Sequence, residues 1–376
     1  MIIILSIIIT LFYLILIFGF IFGYDKIKEF HLQNISSITC FSVIVPFRNE
    51  AKNLPELLES FSKLHYPKHL YEIIFVDDES SDNSLGIINS FIASLKLNNV
   101  NIIKNERLTH APKKDAITKA ISLAKNDWII TTDADCILPK QWLNSFDEFI
   151  QKTNAKCIVA PVIYKINNIL LEKFQLLSIL SLQGSTIGGF GIGKPFLCNG
   201  ANLAYTKKLF FNLDGFKGNS NIASGDDIFL MEKAIRNCKN NVQYLKCREA
   251  IVTTKPEKSW PSLISQNLRW AAKINTYSNV FGKLTGFIVL IMNALIVALF
   301  VLCFFKIVSL KTFICVLIIK FSADFIIIFK TSIFFKQKGV LKSFPLSFFI
   351  YPFFSVYIAF MSVFKDYKWK GRTYKK

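Results

Sequence analysis

Trp128-Ile129-Ile130-Thr131-Thr132-Asp133-Ala134-Asp135 is the stretch from which the rest of the chain is read. Its apolar start predicts a buried strand, and two carboxylates arrive one residue apart at the strand's end. A strand sends residues i and i+2 to the same side, so Asp133 and Asp135 can address one bound ion. Carboxylates so placed are costly unless a cation or a hydrogen-bonded ligand neutralises them. Divalent cations that bridge phosphate oxygens take hard oxygen ligands and often need only one or two from the protein. The pair therefore points to a metal–diphosphate site. An isolated acidic triplet also suits a solvated turn, so its neighbours carry the weight.

Upstream, residues 41–45 are apolar and β-branched and stop at Pro46, the pattern of a buried strand. A helix follows, with Asn53 as its cap, Pro55 in its first turn, and Leu54, Leu57, Leu58, Phe61 and Leu64 on one face. Residues 72–76 are a second strand ending on Asp77-Asp78-Glu79. Ser81 or Asp82 can cap the next helix, which carries Leu85, Ile88 and Phe91. Residues 100–103 are a third strand, and residues 112–124 a helix with lysines in its first turn, leading into the strand before Asp133. Apolar strands alternating with amphipathic helices predict βαβ units, an α/β fold and a parallel sheet.

In such sheets ligands bind outside the carboxyl ends of the strands. Pro46-Phe47-Arg48-Asn49-Glu50, Asp77-Asp78 and Asp133-Ala134-Asp135 each fall at one of those ends. Three polar clusters thus converge on one crevice. Ser80, Ser81 and Asn83 read as ordinary turn formers beside them.

The 376 residues are 52% hydrophobic with a formal net charge of +19 and a mean hydropathy of +0.38. That balance is unusual for a soluble domain and ordinary for a membrane protein with a basic cytoplasmic face. Residues 2–22 are uncharged and long enough to cross a bilayer, with no basic start or cleavage site, and so read as an uncleaved anchor. Residues 286–305 are a second span, and 344–364 a third despite Pro345 and Pro352. Residues 312–329 are a weaker one, interrupted by Lys320 and Asp324, which share a helix face at i,i+4 and can pair inside a bundle. The expected division is an anchor over 1–23, a catalytic-size domain over 24–283, and C-terminal membrane helices (about 284–305, 312–329 and 344–364) with a basic tail.

Lys26 and Lys28 follow the first span directly, which places the large domain in the cytoplasm of an integral membrane protein. Three further crossings would put the basic tail, residues 365–376, on the opposite side. The expectation that resolves this makes 312–329 a re-entrant or interfacial segment. Eight cysteines show no C-x-x-C pairing, so neither a zinc site nor a disulfide framework is indicated, and reduced thiols fit a cytoplasmic domain. No nucleic-acid motif accompanies the charge excess. Anionic lipid headgroups account for juxtamembrane lysines more simply, so membrane lipids, not nucleic acid, are the expected partners.

The strand–loop VIVPFRNE, the VDDESSD segment, the DAD triplet, the later GDD and the QNLRW pentad occur in an order that resembles the membrane-bound family 2 glycosyltransferases, a group that includes cellulose synthase-like, poly-N-acetylglucosamine synthase-like and ceramide glucosyltransferase-like enzymes. The resemblance covers about residues 41–270 and implies a GT-A fold, a Rossmann-like, mostly parallel sheet with a nucleotide-sugar over its strand ends. It implies that Pro46, Asn49 and Glu50 line the nucleotide pocket and that Asp78 or Asp77 hydrogen-bonds the base. Lys113, ahead of Ala116-Ile117, would meet the diphosphate; a solvated helix lysine is the equal alternative. Asp133 would contact the donor and Asp135 a divalent metal, Mg²⁺ or Mn²⁺. Phe196-Leu197-Cys198-Asn199-Gly200 resembles an acceptor-holding loop, so that Cys198, Asn199 and Gly200 would bind the acceptor. Gly184, Gly188, Gly189, Gly191 and Gly193 before it would make a flexible approach, or else packing positions.

Gly225-Asp226-Asp227 corresponds to the family's general-base motif. The base falls on Asp227, while Asp226 stands where the family has Glu; a helix cap is the plainer reading of the pair. Gln266, Arg269 and Trp270 form the Q-x-x-R-W motif, in which the Arg can fork onto a phosphate and the Trp can stack on a sugar. An Arg–Trp pair at a membrane interface is the plainer reading there.

The resulting expectation is an inverting, metal-dependent transfer of a sugar from a nucleotide-sugar, with UDP favoured, to a lipid-linked or growing saccharide acceptor. A processive polysaccharide synthase is the alternative, favoured by the pentad and disfavoured by the few spans. A non-catalytic membrane scaffold with a nucleotide-binding-like domain is a rival of another class, and it would need neither Asp227 nor Asp135. A phosphohydrolase of the D-x-D-x-T kind is excluded because Cys136-Ile137 follow the triplet.

Overall fold

The structure, a computed structural model, describes residues 2–220, 222, 225–272, 276–364, 367–369 and 372–374. After an apolar helix, α1 (Ile2–Lys26), come β1 (Phe41–Phe47), α2 (Leu54–Ser62), β2 (Tyr71–Asp77), α3 (Ser84–Leu95), β3 (Val100–Lys104), α4 (Pro112–Leu123), β4 (Trp128–Thr131) and α5 (Trp142–Lys152). Then follow β5 (Cys157–Val159), β6 (Val162–Tyr164), α6 (Leu170–Gly191), β7 (Leu203–Thr206), α7 (Lys207–Asn212), α8 (Asp226–Cys238), β8 (Val242–Tyr244) and β9 (Val252–Thr254). Four helices close the chain: α9 (Trp260–Ala271), α10 (Val280–Phe304), α11 (Leu310–Phe334) and α12 (Phe344–Phe364). Two short antiparallel strands, Tyr367–Trp369 and Arg372–Tyr374, follow; Lys376, whose side of the membrane the sequence leaves in question, lies outside the described residues.

By packing, the chain forms two units. One comprises residues 28–165 and 198–255, the other residues 1–27, 166–197 and 256–376.

The first unit is built on a sheet of order β3-β2-β1-β4-β7-β5-β8. β1 pairs in parallel with both β2 and β4, β2 with β3, and β5 with β8; β7 alone runs antiparallel to its neighbours. The expected α/β fold with a mostly parallel sheet is therefore present. β1 is buried along its length except at Pro46, as a central strand covered on both faces must be. Register then does the work for the site. Phe47 stands beside Asp77 and Ile44 beside Thr131, so the carboxyl ends of β1, β2 and β4 open at one edge. The chain leaves β1 outward to β2 and β3 and returns on β1's other side as β4, which makes this edge a switch point where crevices form.

Below the edge, Trp142 is fully buried and its indole N–H donates to Asn202 Oδ1 at 2.9 Å. Asn202 in turn donates to Pro161 O and Ala250 O, each at 2.8 Å. A buried amide with these groups satisfied pins three distant segments together. The expected helix caps differ in detail. Asn53 does precede α2, but its side chain donates to Glu50 Oε2 instead of capping. α3 begins after Asn83, and Asp82 serves it by accepting from Ser84 N at 3.0 Å.

In the second unit, α1, α10, α11 and the stretch Lys338–Phe364 are each long and apolar enough to cross a membrane. The 312–329 segment, expected to be re-entrant or interfacial, lies within one unbroken helix of 25 residues, α11. Its two charges are closed inside the bundle. Lys320 Nζ meets Asp324 Oδ2 at 2.6 Å, Tyr13 of α1 donates to Asp324 Oδ1, and the ammonium lies over the rings of Phe348 and Tyr13. Gly184, Gly188, Gly189 and Gly191 lie within α6 and pack instead of forming a flexible approach, whereas Gly193 follows the helix in a left-handed turn with φ 68°. A Cβ at Gly188 would collide with Phe20 O, one at Gly191 with Gly23 O, and one at Gly184 with Thr331 Oγ1. Small residues let helix backbones touch where lipid supplies no hydrophobic drive between them.

Candidate active site

The loop after β1 and the loop after β2 are stitched to each other before any ligand is considered. Asn49 takes a left-handed φ of 53°, its N–H donates to Ser80 Oγ, and its Oδ1 accepts from Ser81 N at 2.7 Å. The buried Glu50 donates its N–H to Ser84 Oγ, and Ala51 N donates to Asp82. Ser80 and Ser81, read from sequence as plain turn residues, are therefore the stitches.

Asp77 and Asp78 diverge. Asp77 Oδ1 accepts from Ser80 N at 2.9 Å and closes the turn. Asp78 is buried, and its Oδ1 accepts from Arg107 Nε at 2.6 Å and Asn105 Nδ2 at 2.9 Å. Its backbone carbonyl accepts from Arg48 at 2.7 Å and from Arg107 at 3.0 Å. Asp115 of α4 holds the segment that delivers Arg107, accepting from Leu108 N and Thr109 N. Sequence reasoning missed Arg107 and Asn105: each is a lone polar residue in a coil, and nothing local marks its partner across the sheet edge.

On the other side of the crevice, α4 carries Lys113. Its Nζ lies 2.8 Å from Asp133 Oδ1 and 3.3 Å from Asp226 Oδ2. Burial opposes its charge, but the carboxylates of Asp133, Asp226 and Asp227 outweigh that and hold the ammonium well above the ordinary lysine range. Lys113 is thus no solvated helix lysine. α8 begins at Asp226, after Gly225 in a left-handed turn (φ 81°) that glycine adopts without strain. Asp227 Oδ2 accepts from Gly200 N at 2.9 Å and its Oδ1 from Ile228 N at 2.8 Å.

Gly200 sits where nothing larger fits easily. A Cβ there would stand 3.1 Å from Asp226 Oδ2 and 3.6 Å from Lys113 Nζ. Asn199 Oδ1 accepts from Ala201 N, fixing the turn that aims the Gly200 amide. Burial, with the charges of Asp227 and Asp226 behind it, pushes the Cys198 thiol far up, so it stays protonated.

The structure thus brings Lys113, Asp133, Asp226, Asp227 and Gly200 together within one unit. Asp135, half-buried, accepts a long contact from Cys136 Sγ at 3.8 Å. Among the described residues no three His, Cys, Asp or Glu side chains form a ready cation cage. The two carboxylates present, Asp133 and Asp135, are hard oxygen donors of the kind that would hold a divalent cation. Gln266, Arg269 and Trp270 belong to α9 in the other unit. There Gln266 donates to Glu257 Oε1 at 3.2 Å, and its own Oε1 is buried with no hydrogen-bond partner among the described residues.

Residues 42–211 match the family model described as Glycosyl transferase family 2. The poly(ribitol-phosphate) beta-N-acetylglucosaminyltransferase TarS of Staphylococcus aureus is 30% identical over 119 residues, 32% of this chain and 20% of that protein. An undecaprenyl-phosphate 4-deoxy-4-formamido-L-arabinose transferase of Pseudomonas fluorescens is 37% identical over 109 residues, 28% of this chain and 30% of that one. The chain therefore spans less than a third of the length of either relative. Among solved structures, the mannosyltransferase PcManGT from Pyrobaculum calidifontis, in complex with GDP-Man and Mn²⁺, aligns with a TM-score of 0.57 at 14% identity. That alignment covers 93% of this chain and 99% of the other, and what it establishes is the shared GT-A-like fold.

Proposed function

We propose, for a chain that carries a glycosyl transferase family 2 domain, that it transfers a sugar with inversion from a nucleotide-sugar to a saccharide or lipid-linked acceptor at a membrane. The observation that carries this reading is the gathering of Asp133, Asp226 and Asp227 around Lys113 and the Gly200 amide. A scaffold has no use for such an excess of carboxylate at a sheet's switch point.

In this reading Pro46, Asn49, Glu50 and the Asp78–Arg107 pair line the nucleotide pocket. Lys113 leaves its carboxylates to meet the diphosphate as the donor enters. Asp133 and Asp135 hold a divalent cation, Mg²⁺ or Mn²⁺, which when bound offsets charge on the departing nucleoside diphosphate. The acceptor hydroxyl oxygen bonds to C1 as the C1–O(phosphate) bond breaks. Its proton passes to Asp227, and the bonding pair leaves with the diphosphate. Two backbone N–H groups keep Asp227 aimed for that proton. The Asn199 turn and Cys198 border the acceptor side. Gln266, Arg269 and Trp270 keep the roles the Q-x-x-R-W motif implies, the Arg for a phosphate and the Trp for a sugar, and the buried Gln266 Oε1 has no hydrogen-bond partner among the described residues.

The four apolar helices support an integral membrane location, with Lys26 and Lys28 favouring a cytoplasmic catalytic unit. The catalytic domain of this proposal is residues 28–165 and 198–255, with anchors before and after. UDP is the favoured nucleotide. The short list of spans favours a lipid-linked acceptor over a long polymer that needs its own channel. The test is a panel of labelled UDP- and GDP-sugars given to purified membranes, with products separated into lipid and polymer fractions. Label in the lipid fraction is expected. Label only in long polymer selects the processive alternative, and no transfer from any donor favours the scaffold.

A further inference from the structure

α4 presents two consecutive lysines with different duties. Lys113 faces the carboxylates. Lys114 is only 2% exposed, and its ammonium donates to Asn219 O at 2.8 Å and to Asn219 Oδ1 at 3.0 Å. The rings of Phe229 and Phe216 lie 4.8 and 6.0 Å away. A buried ammonium is costly unless its N–H groups are met, and an apolar side chain could fill the space between two phenyl rings without that penalty. The charge is therefore retained for what it holds.

What it holds is Asn219, which precedes Gly225-Asp226-Asp227 by six residues in the chain. Residues 213–219 turn sharply, with Asp214, Gly215 and Gly218 all at positive φ (54, 48 and 90°). An open surface groove of about 470 Å³ runs beside the segment, lined on that side by Leu213, Asp214, Lys217 and Gly218. Phe216 packs edge-on against Phe210 at 5.3 Å, and on the groove side polar clasps add to that packing. Lys233 of α8 donates to Leu213 O, Gly215 O and Lys217 O at 3.1, 2.7 and 2.8 Å, and Lys114 of α4 takes Asn219.

We infer that Lys114 is a positioning residue for the proposed general base: by tying Asn219 to the helix that carries Lys113, it keeps Asp226 and Asp227 in register with Lys113 and the Gly200 amide. The inference rests on the functional reading above. The charged groups around Lys114 are Asp226, Asp227 and Lys233 on α8, with Lys113 and Asp115 on α4 itself. Burial, opposed by Asp226 and Asp227 and aided by Lys233, brings its ammonium down to about 8, so the clasp is charged at neutral pH. Removing that positive charge makes a proton harder to take from Asp227, which moves the acidic limb of a rate profile to higher pH.

The experiment uses the full chain in detergent with the UDP- or GDP-sugar that turns over fastest. Lys114→Met is expected to lower kcat by about 10–100-fold, the scale of a misplaced catalytic group, and to raise the acidic limb, with nucleotide Kd within about twofold. Asn219→Ala, which leaves the ammonium one carbonyl partner, should lower kcat in the same direction by less and keeps the test open if the lysine variant folds poorly. A kcat within about twofold of wild type per folded molecule in both variants overturns the inference. So does a fall in melting temperature with an unmoved pH profile. Asp227→Asn is run alongside. Wild-type turnover by that variant removes the base assignment, whereas wild-type behaviour of Lys114→Met alone removes only the clasp.

Discussion

The lysine–aspartate clusters at Lys113 and at Lys320 are built on opposite principles. In the helical unit one buried lysine, Lys320, meets one aspartate, Asp324, and a tyrosine hydroxyl and two aromatic rings close the remaining directions. In the sheet unit one lysine, Lys113, stands among Asp133, Asp226 and Asp227, with Asp135 two residues along. The first cluster is balanced and sealed. The second carries more negative charge than its lysine can offset, and it sits at a strand edge that ligands can reach. Balanced pairs inside apolar surroundings specify packing; unbalanced ones are poised for a cation, a proton or a phosphate.

The largest expected effect breaks the second cluster's chemistry without touching its fold. Asp227→Asn should cost about 10²–10⁴-fold in turnover while sparing nucleotide affinity, as loss of a general base does. Label transfer in membranes measures it, and wild-type rates from the variant would remove Asp227 from the mechanism. In the first cluster the reverse holds. Asp324→Ala leaves a buried ammonium without its partner and should destabilise by about 3–5 kcal/mol, whereas Lys320→Met with Asp324→Leu should restore most of the loss. Thermal melting in detergent reads both. If the single variant melts like wild type, the sealed-pair account fails.

A smaller effect sharpens the contrast. Asp135→Ala should weaken metal affinity by at least the order of 10–100-fold seen for partners one step further from a metal. Turnover against Mn²⁺ concentration shows it, and an unchanged curve rejects the ligand role. The smallest effect is a pH slope. Lys113 is held above its ordinary value of 10.5, so its contribution to stability is complete below that value and is lost only as pH rises through the raised one. Lys114 acts oppositely. Between about 8 and 10.5 the unfolded chain keeps a proton that the folded one has released, so this group makes stability rise with pH. The wild-type melting temperature should therefore gain on that of Lys114→Met between pH 8 and 10; a constant difference contradicts the assignment.

Much of the sheet unit was legible because its signals are local. The apolar runs at 41–45, 72–76 and 128–130 became β1, β2 and β4, but β4 ends at Thr131: Asp133-Ala134-Asp135 lie beyond it in a turn closed by Cys136 N donating to Asp133 O, so strand alternation does not set where the two carboxylates face. Antiparallel β7 was not legible, since Leu203–Thr206 is too short for its direction to be written in a pattern. Arg107 on Asp78 and Lys114 on Asn219 join residues 29 and 105 positions apart, and no spacing rule reaches that far. The glycines of α6 misled for a related reason. Gly reads as freedom in isolation, and only the neighbouring helices α1 and α11 turn the same residues into contact points. Lys320 and Asp324 were found as a pair at i,i+4, but Tyr13, 311 positions from Asp324, was out of sight.

The central claim is that acids from separate strand ends act as one site for a cation and a nucleoside diphosphate. Calorimetric titration of UDP and of GDP into the purified full chain, with and without Mn²⁺, tests it most directly. Coupled sites require that the metal tighten one nucleotide by about 10-fold or more in the wild type, and that Asp135→Ala erase the difference. Equal affinities with and without Mn²⁺ for both nucleotides would contradict it.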